Sequence, residues 1–243
     1  MNKFALFFFF FVFSLKGQTN THINSWSRLS FAFKKQESQW KFESEFQRRT
    51  QNNGSIQNNI NPFDENLMQS FRFWMHHKKK NTPLNFLFSP IGYFEHTPII
   101  KEEQDLIKNR IYEYRISTAL DYKVDLFSRI SVFMRPALEF RDFQNKPWQS
   151  ILRFRGKTGF KFDLNTKLNV HVFDELFLNT NSEDKKHIFD HNRIGTLMNY
   201  HFNEFIKFEM GYVAISRLQR NDIDVMFDHN FLFMLYYSLN SKK

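Results

Sequence analysis

Arg153, Arg155, Lys157 and Lys161 stand on one parity of a short stretch, and Leu152, Phe154, Phe160 and Phe162 stand on the other. A β-strand turns successive side chains to opposite faces, so this alternation makes one face cationic and the other apolar. The pattern recurs along the chain. The polar parity carries Lys41, Glu43 and Glu45, then Glu113 and Arg115, then Arg129, Arg135, Glu139 and Arg141. Further on it carries His171 and Glu175, Arg193, and finally Lys207 and Glu209. Charges of both signs on one face of successive strands can cross-link as a salt-bridged plug. They can also line a lumen that binds or conducts small solutes.

Catalysis has thinner support. No Gly-x-Ser-x-Gly motif occurs, and Ser128, Ser131 and Ser216 stand out no more than any strand serine, so no residue is singled out as catalytic. His76 and His77 are adjacent, and a strand would turn them to opposite faces; with Lys78, Lys79 and Lys80 they read as a basic turn at a membrane edge. His171 and Glu175 share a face but sit roughly 13 Å apart along a strand, too far to hold one metal. They read as separate hydrogen-bonding positions in the lumen, and neither a metal site nor a cofactor is expected. Seven scattered glycines supply no phosphate loop. Most aromatics lie on the parity opposite the charges, which excludes a base-stacking groove and makes nucleic acid an unexpected partner.

The elements that position these residues follow a leader. Met1-Asn2-Lys3 is charged, Phe4 to Phe13 is almost wholly apolar, and Gly17 precedes the polar Gln18. That is the layout of a cleaved signal peptide over residues 1–17, since a single helical anchor needs about twenty apolar residues. The chain has no cysteine, which excludes a disulfide framework and thiol-based metal sites. Without Lys3 and Lys16, 32 basic residues face 25 acidic ones, a net charge of +7. The excess is spread along strands and not clustered in a tail, as suits a charged lumen or loops among anionic headgroups. The 33 phenylalanines and 8 tyrosines supply a lipid-facing band and its girdles.

Eleven strand-like segments follow, at about 25–34, 39–50, 66–77, 83–94, 109–121, 124–142, 148–163, 167–179, 187–202, 205–218 and 225–239. Each is long enough to cross a membrane at a tilt. Short turns near 35–37, 79–81, 122–123, 163–165 and 203 alternate with longer loops at 51–65, 95–108, 143–147, 180–186 and 219–224, of which 51–65 and 95–108 read as solvent-exposed. Bacterial single-chain barrels have even strand numbers, so ten or twelve strands are expected, with a further short strand near Thr19–Asn24 as one remedy. Pro136 cannot donate to a ladder and should mark a bulge or an unpaired stretch.

Several motifs in this order resemble the bacterial family known as domain of unknown function 2490. They are Glu113-Tyr114-Arg115, Arg135-Pro136-Ala137-Leu138-Glu139-Phe140-Arg141, Arg153-Phe154-Arg155, Glu175-Leu176-Phe177-Leu178-Asn179, Phe189-Asp190-His191-Asn192-Arg193 and Glu209-Met210-Gly211-Tyr212. Asp174, where the family pattern has Asn, and Pro136, within the Arg-rich strand, are departures. The resemblance spans nearly all of the mature chain. It implies an outer-membrane-barrel-like protein and no particular activity.

The expectation is thus an all-β fold: one antiparallel up-and-down transmembrane β-barrel of ten to twelve strands over residues 18–243, in the bacterial outer membrane. Its lumen is charged, its outer face meets lipid, and its partners are outer-membrane lipids and small solutes. Its role is that of a structural, interaction or narrow small-solute barrel. Two alternatives remain: an outer-membrane lipid-modifying enzyme of lipase or deacylase type, and a soluble periplasmic barrel that holds an apolar ligand inside.

Overall fold

The computed structural model describes residues 19–35, 37–144, 150–180, 188–218 and 225–241. The leader at 1–17 lies outside them, as do parts of the loops at 143–147, 180–186 and 219–224. The strands are β1 (Thr19–Lys35), β2 (Trp40–Gln51), β3 (Glu65–Lys78), β4 (Leu84–His96), β5 (Ile111–Phe127), β6 (Ile130–Gln144), β7 (Ser150–Asp163), β8 (Leu168–Asn179), β9 (Phe189–His201), β10 (Ile206–Leu218) and β11 (Val225–Ser241). They form one closed barrel in sequence order.

The count among the described residues is eleven, not ten or twelve. In an up-and-down chain an odd number makes the first and last strands run the same way. Closure is therefore parallel, with Thr19 opposite Val225 and Lys35 opposite Ser241, while every other pairing is antiparallel. The barrel is mixed rather than wholly antiparallel. The segment Thr19–Asn24 is no separate strand; it is the start of β1 and lengthens the parallel seam.

A second correction concerns the hairpin between β5 and β6. The turn lies at Ser128 and Arg129, whereas Tyr122 and Lys123 continue β5 in register with Met134 and Phe133. Pro136 marks an unpaired stretch, one of the two expected outcomes, and makes no bulge. It stays in register with Gly156 of β7, and the β5–β6 ladder is interrupted between the Ala119–Ala137 and Tyr122–Met134 pairs. A proline-linked register shift lies at Pro90, where β4 slips against both β3 and β5.

The long loops are not simply solvated. Gln51 is fully buried, its amide nitrogen donating to the carbonyls of Asn66 (3.2 Å) and Pro98 (2.8 Å), and its oxygen accepting from Ile100 N–H (3.2 Å). It clamps the β2–β3 loop to the β4–β5 loop, which also holds a 3-10 helix at Glu103–Ile107. Gly54 donates its N–H to the Ile100 carbonyl, and a Cβ there would sit 2.4 Å from that oxygen, so the contact demands glycine. Gln51→Ala strands three backbone groups and should cost about 1–3 kcal/mol, read as a lower denaturant midpoint and faster hydrogen exchange at Ile100. Nearby, burial pushes the Asp105 carboxyl up, but Lys108 at 2.5 Å and the N–H groups of Lys101 and Glu102 hold it below the usual carboxylate range.

Candidate functional site in the barrel lumen

The strand pleat sends the charged parity inward. An internal cavity of about 1750 Å³ is lined by Arg, Glu, His and Lys side chains, while Phe31, Phe42, Phe46, Phe88, Phe140 and Phe233 are exposed on the outside. The arrangement with Phe and Leu inside and Arg and Glu outside is not the one adopted.

The densest part centres on Glu139, which is 1% exposed. The β6–β7 register places it directly opposite Arg153 and two residues from Arg155, which faces the small Ala137. Arg153 binds it at 2.6 Å, Arg72 and Arg155 at 3.5 Å, and Arg115 at 3.7 Å. Beside it, buried Glu113 takes Arg115 at 2.6 Å, Arg141 at 2.8 Å and His96 at 2.9 Å. Arg153 also reaches Asp190 at 2.8 Å, and Glu175 takes Arg155 at 2.5 Å and Arg193 at 3.7 Å. Charge pairs held this far from water are stable only while complete, because a lone buried charge costs several kcal/mol.

Toward the short turns the same face continues. Arg28 bridges Glu45 (3.2 Å) and Glu209 (3.5 Å), with Lys207 at 3.7 Å from Glu209. Lys41 (2.9 Å) and His76 (3.3 Å) meet on Glu43, and Arg135 pairs with Asp121. His76 thus points inward while His77 packs outside against Trp40 in a tilted arrangement, with ring centroids 4.6 Å apart. His171 lies against Phe133, and its buried Nε2 has no hydrogen-bond partner among the described residues. Arg129 is exposed in the β5–β6 turn and lies outside the lumen, because β5 ends six residues later than its alternation indicated. Ser131 donates to Asp125 at 2.7 Å. Among the described residues no group of three or more His, Asp or Glu is placed to hold a metal.

The lumen also contains aromatics, which parity reasoning had assigned mainly to the outer face. Arg115 sits 3.8 Å over the Phe94 ring, Arg193 4.3 Å over Phe177, Lys157 3.6 Å over Phe173 and Arg49 3.6 Å over Trp26. Such contacts are worth about 0.5–2 kcal/mol each and hold the guanidinium planes in place. The signal was present in the sequence: Phe173 and Phe177 share the parity of His171 and Glu175. Arg28, Arg49, Arg72, Asp190 and Arg217 were likewise missed; Arg72 is flanked by Phe71 and Phe73, and Arg49 by the equally polar Arg48 and Thr50, which hides the alternation there.

Part of the wall formed by β8 to β11 and β1 is apolar inside, with Trp26, Phe173, Leu197, Val213, Leu232 and Met234 packed together. Inward-facing Gly195 makes room for it, since a Cβ there would lie 2.7 Å from both Phe173 and Val213. Gly195→Val should overpack this wall and cost about 1–3 kcal/mol, seen as a lower unfolding midpoint with retained strand content.

Fifteen Lys or Arg and nine Asp or Glu line the cavity, so its wall carries a net positive charge and favours anions. No curated protein matches the chain. Residues 23–226 match the family described as protein of unknown function (DUF2490), from within β1 to the start of β11, and the chain belongs to that family.

Proposed function

We propose that the chain is an integral outer-membrane β-barrel: a non-catalytic structural or narrow small-solute barrel whose lumen is braced by ion pairs. Residues 1–17 are the export signal, residues 18–243 form the barrel, and outer-membrane lipids are its surroundings. The observation that carries this reading is the outer face. Tyr93, Tyr112 and Tyr114 cluster there toward the long loops, with ring centroids 5.6 to 6.2 Å apart. Trp40, Tyr122 and Tyr200 are exposed toward the short turns. Between these rims lie Ile116, Leu138, Phe140, Leu152, Ile194 and Phe231, all exposed. Tyr112 and Tyr122 are ten residues apart on β5, which at ~3.3 Å per residue and ~40° tilt gives a band of about 25 Å, the height of an outer-membrane barrel's apolar belt. So large an apolar surface has no place in water.

Fractionation of the expressing cell, with gel mobility of the purified chain before and after boiling, tests the reading. The expected result is recovery in the outer membrane and a mobility shift on boiling. Recovery as a soluble periplasmic monomer would overturn it.

A further inference from the structure

Arg49, on the inward face of β2, has no carboxylate within ion-pair distance among the described residues, and its buried Nε lacks a hydrogen-bond partner. The charges that bear most strongly on it are Arg193, Arg217, Arg115 and Arg72, all cations. Arg193 is similarly under-satisfied: 8% exposed, its Nε unpartnered, its one carboxylate contact at 3.7 Å from Glu175. Both guanidinium groups lie by Trp26, Arg49 at 3.6 Å and Arg193 at 5.6 Å from the ring centroid, which puts their central carbons no more than about 9 Å apart. Trp26 Nε1 and Gln47 Nε2 are further buried donors without acceptors, and all four side chains line the same cavity. Four unused donors, two of them cationic, converge on one region of a low-dielectric space. Among the described residues, the one carboxylate within ion-pair distance of either arginine is Glu175, 3.7 Å from Arg193, and it already pairs with Arg155 at 2.5 Å.

We infer that Arg49 on β2 and Arg193 on β9, both beside Trp26 of β1, bind a small phosphate-type oxyanion inside the lumen. A phosphate group takes N–H donors on several oxygens at once, so two guanidinium carbons can share it at a separation of roughly 8 Å. Trp26 Nε1 and Gln47 Nε2 complete the donor set. This inference deepens the small-solute reading and rests on it for a water-accessible lumen. It does not depend on which compartment holds the barrel.

The test titrates inorganic phosphate, at constant ionic strength in chloride, into the purified mature chain folded in detergent, and follows heat release and tryptophan fluorescence. Saturable one-site binding is expected in the wild type. Arg49→Gln and Arg193→Gln should each weaken it at least tenfold. Arg49→Lys, which keeps the charge but loses the fork, should weaken it several-fold, and Arg129→Gln in the exposed turn should leave it unchanged. Unboiled gel mobility checks that each variant is folded, and Arg49→Lys carries the test if Arg49→Gln does not fold. A wild type that gives no saturable response, or folded arginine variants that bind as it does, overturns the site. Fractionation into the soluble periplasm with phosphate binding intact would sink the membrane reading and leave the site standing.

Discussion

Replacing Glu139 with Gln is expected to destabilise the folded barrel by about 3–5 kcal/mol, the range for removing one partner of a buried charge network. The substitution preserves shape and one carbonyl oxygen but removes the only negative charge shared by Arg72, Arg115, Arg153 and Arg155. Arg115 and Arg155 retain Glu113 and Glu175, and Arg153 retains Asp190, but Arg72 has no other ion-pair partner among the described residues. Urea unfolding in lipid vesicles would show a clearly lower midpoint. Adding Arg72→Met should recover part of the loss, because it withdraws a stranded cation. The comparison is Arg110→Gln: Arg110 meets Glu95 at 2.5 Å on an exposed rim, where such a pair is worth about 0–1 kcal/mol. Equal midpoints for Glu139→Gln and wild type would mean that water screens the lumen and that the pairs are incidental.

The centrality of Glu139 was only partly legible in the sequence. Its place on the charged parity with Arg135 and Arg141 could be read from alternation alone. That Arg153 faces it could not, because cross-strand partners depend on the turn between β6 and β7, where one residue of slip would present Phe154 or Leu152 instead. Arg72 was hidden between Phe71 and Phe73, in a run whose aromatic content resembles the outer face. The fold itself was more open to reading: eleven alternating segments correspond to eleven strands. What misled was the expectation of evenness. It belongs to barrels closed by an antiparallel seam, and nothing in a single strand's side chains reports which neighbour closes the sheet.

The same lack of seam information explains the β5–β6 hairpin. Tyr122-Lys123 has turn-like polarity, and the true turn at Ser128-Arg129 carries no glycine, proline or asparagine to announce it. Beyond Leu120, β5 reads Asp121, Lys123 and Asp125 against Tyr122, Val124 and Leu126, and the alternation persists through that stretch. Following the alternation through Leu126 would have moved the turn to Ser128-Arg129 and so kept Arg129 out of the lumen. The loop clamp at Gln51 left no trace in the sequence at all, since an Asn- and Gln-rich stretch looks solvated whether or not one of its amides is buried.

On the membrane reading proposed above, Phe154→Arg should destabilise the barrel by about 2–4 kcal/mol in a bilayer, the cost of an arginine near the midplane of a lipid-facing surface. Phe154 belongs to the outward parity of β7 and pairs with Leu138 and Leu178, both on the apolar band. Leu138 in turn pairs with Thr118, midway between Tyr114 and Tyr122 on β5, so the position sits well inside the belt. The cost arises from lost headgroup and water contact rather than from packing, and it should therefore fall with depth. Tyr200→Arg, at an exposed rim position near the short turns, should cost only about 0–1 kcal/mol. The pair of variants separates two explanations of an apolar exterior. In a membrane barrel the midplane penalty in vesicles exceeds the rim penalty by several-fold. Were the exterior covered by a protein partner in water, both arginines would be tolerated by the isolated chain, and neither midpoint would depend on lipid.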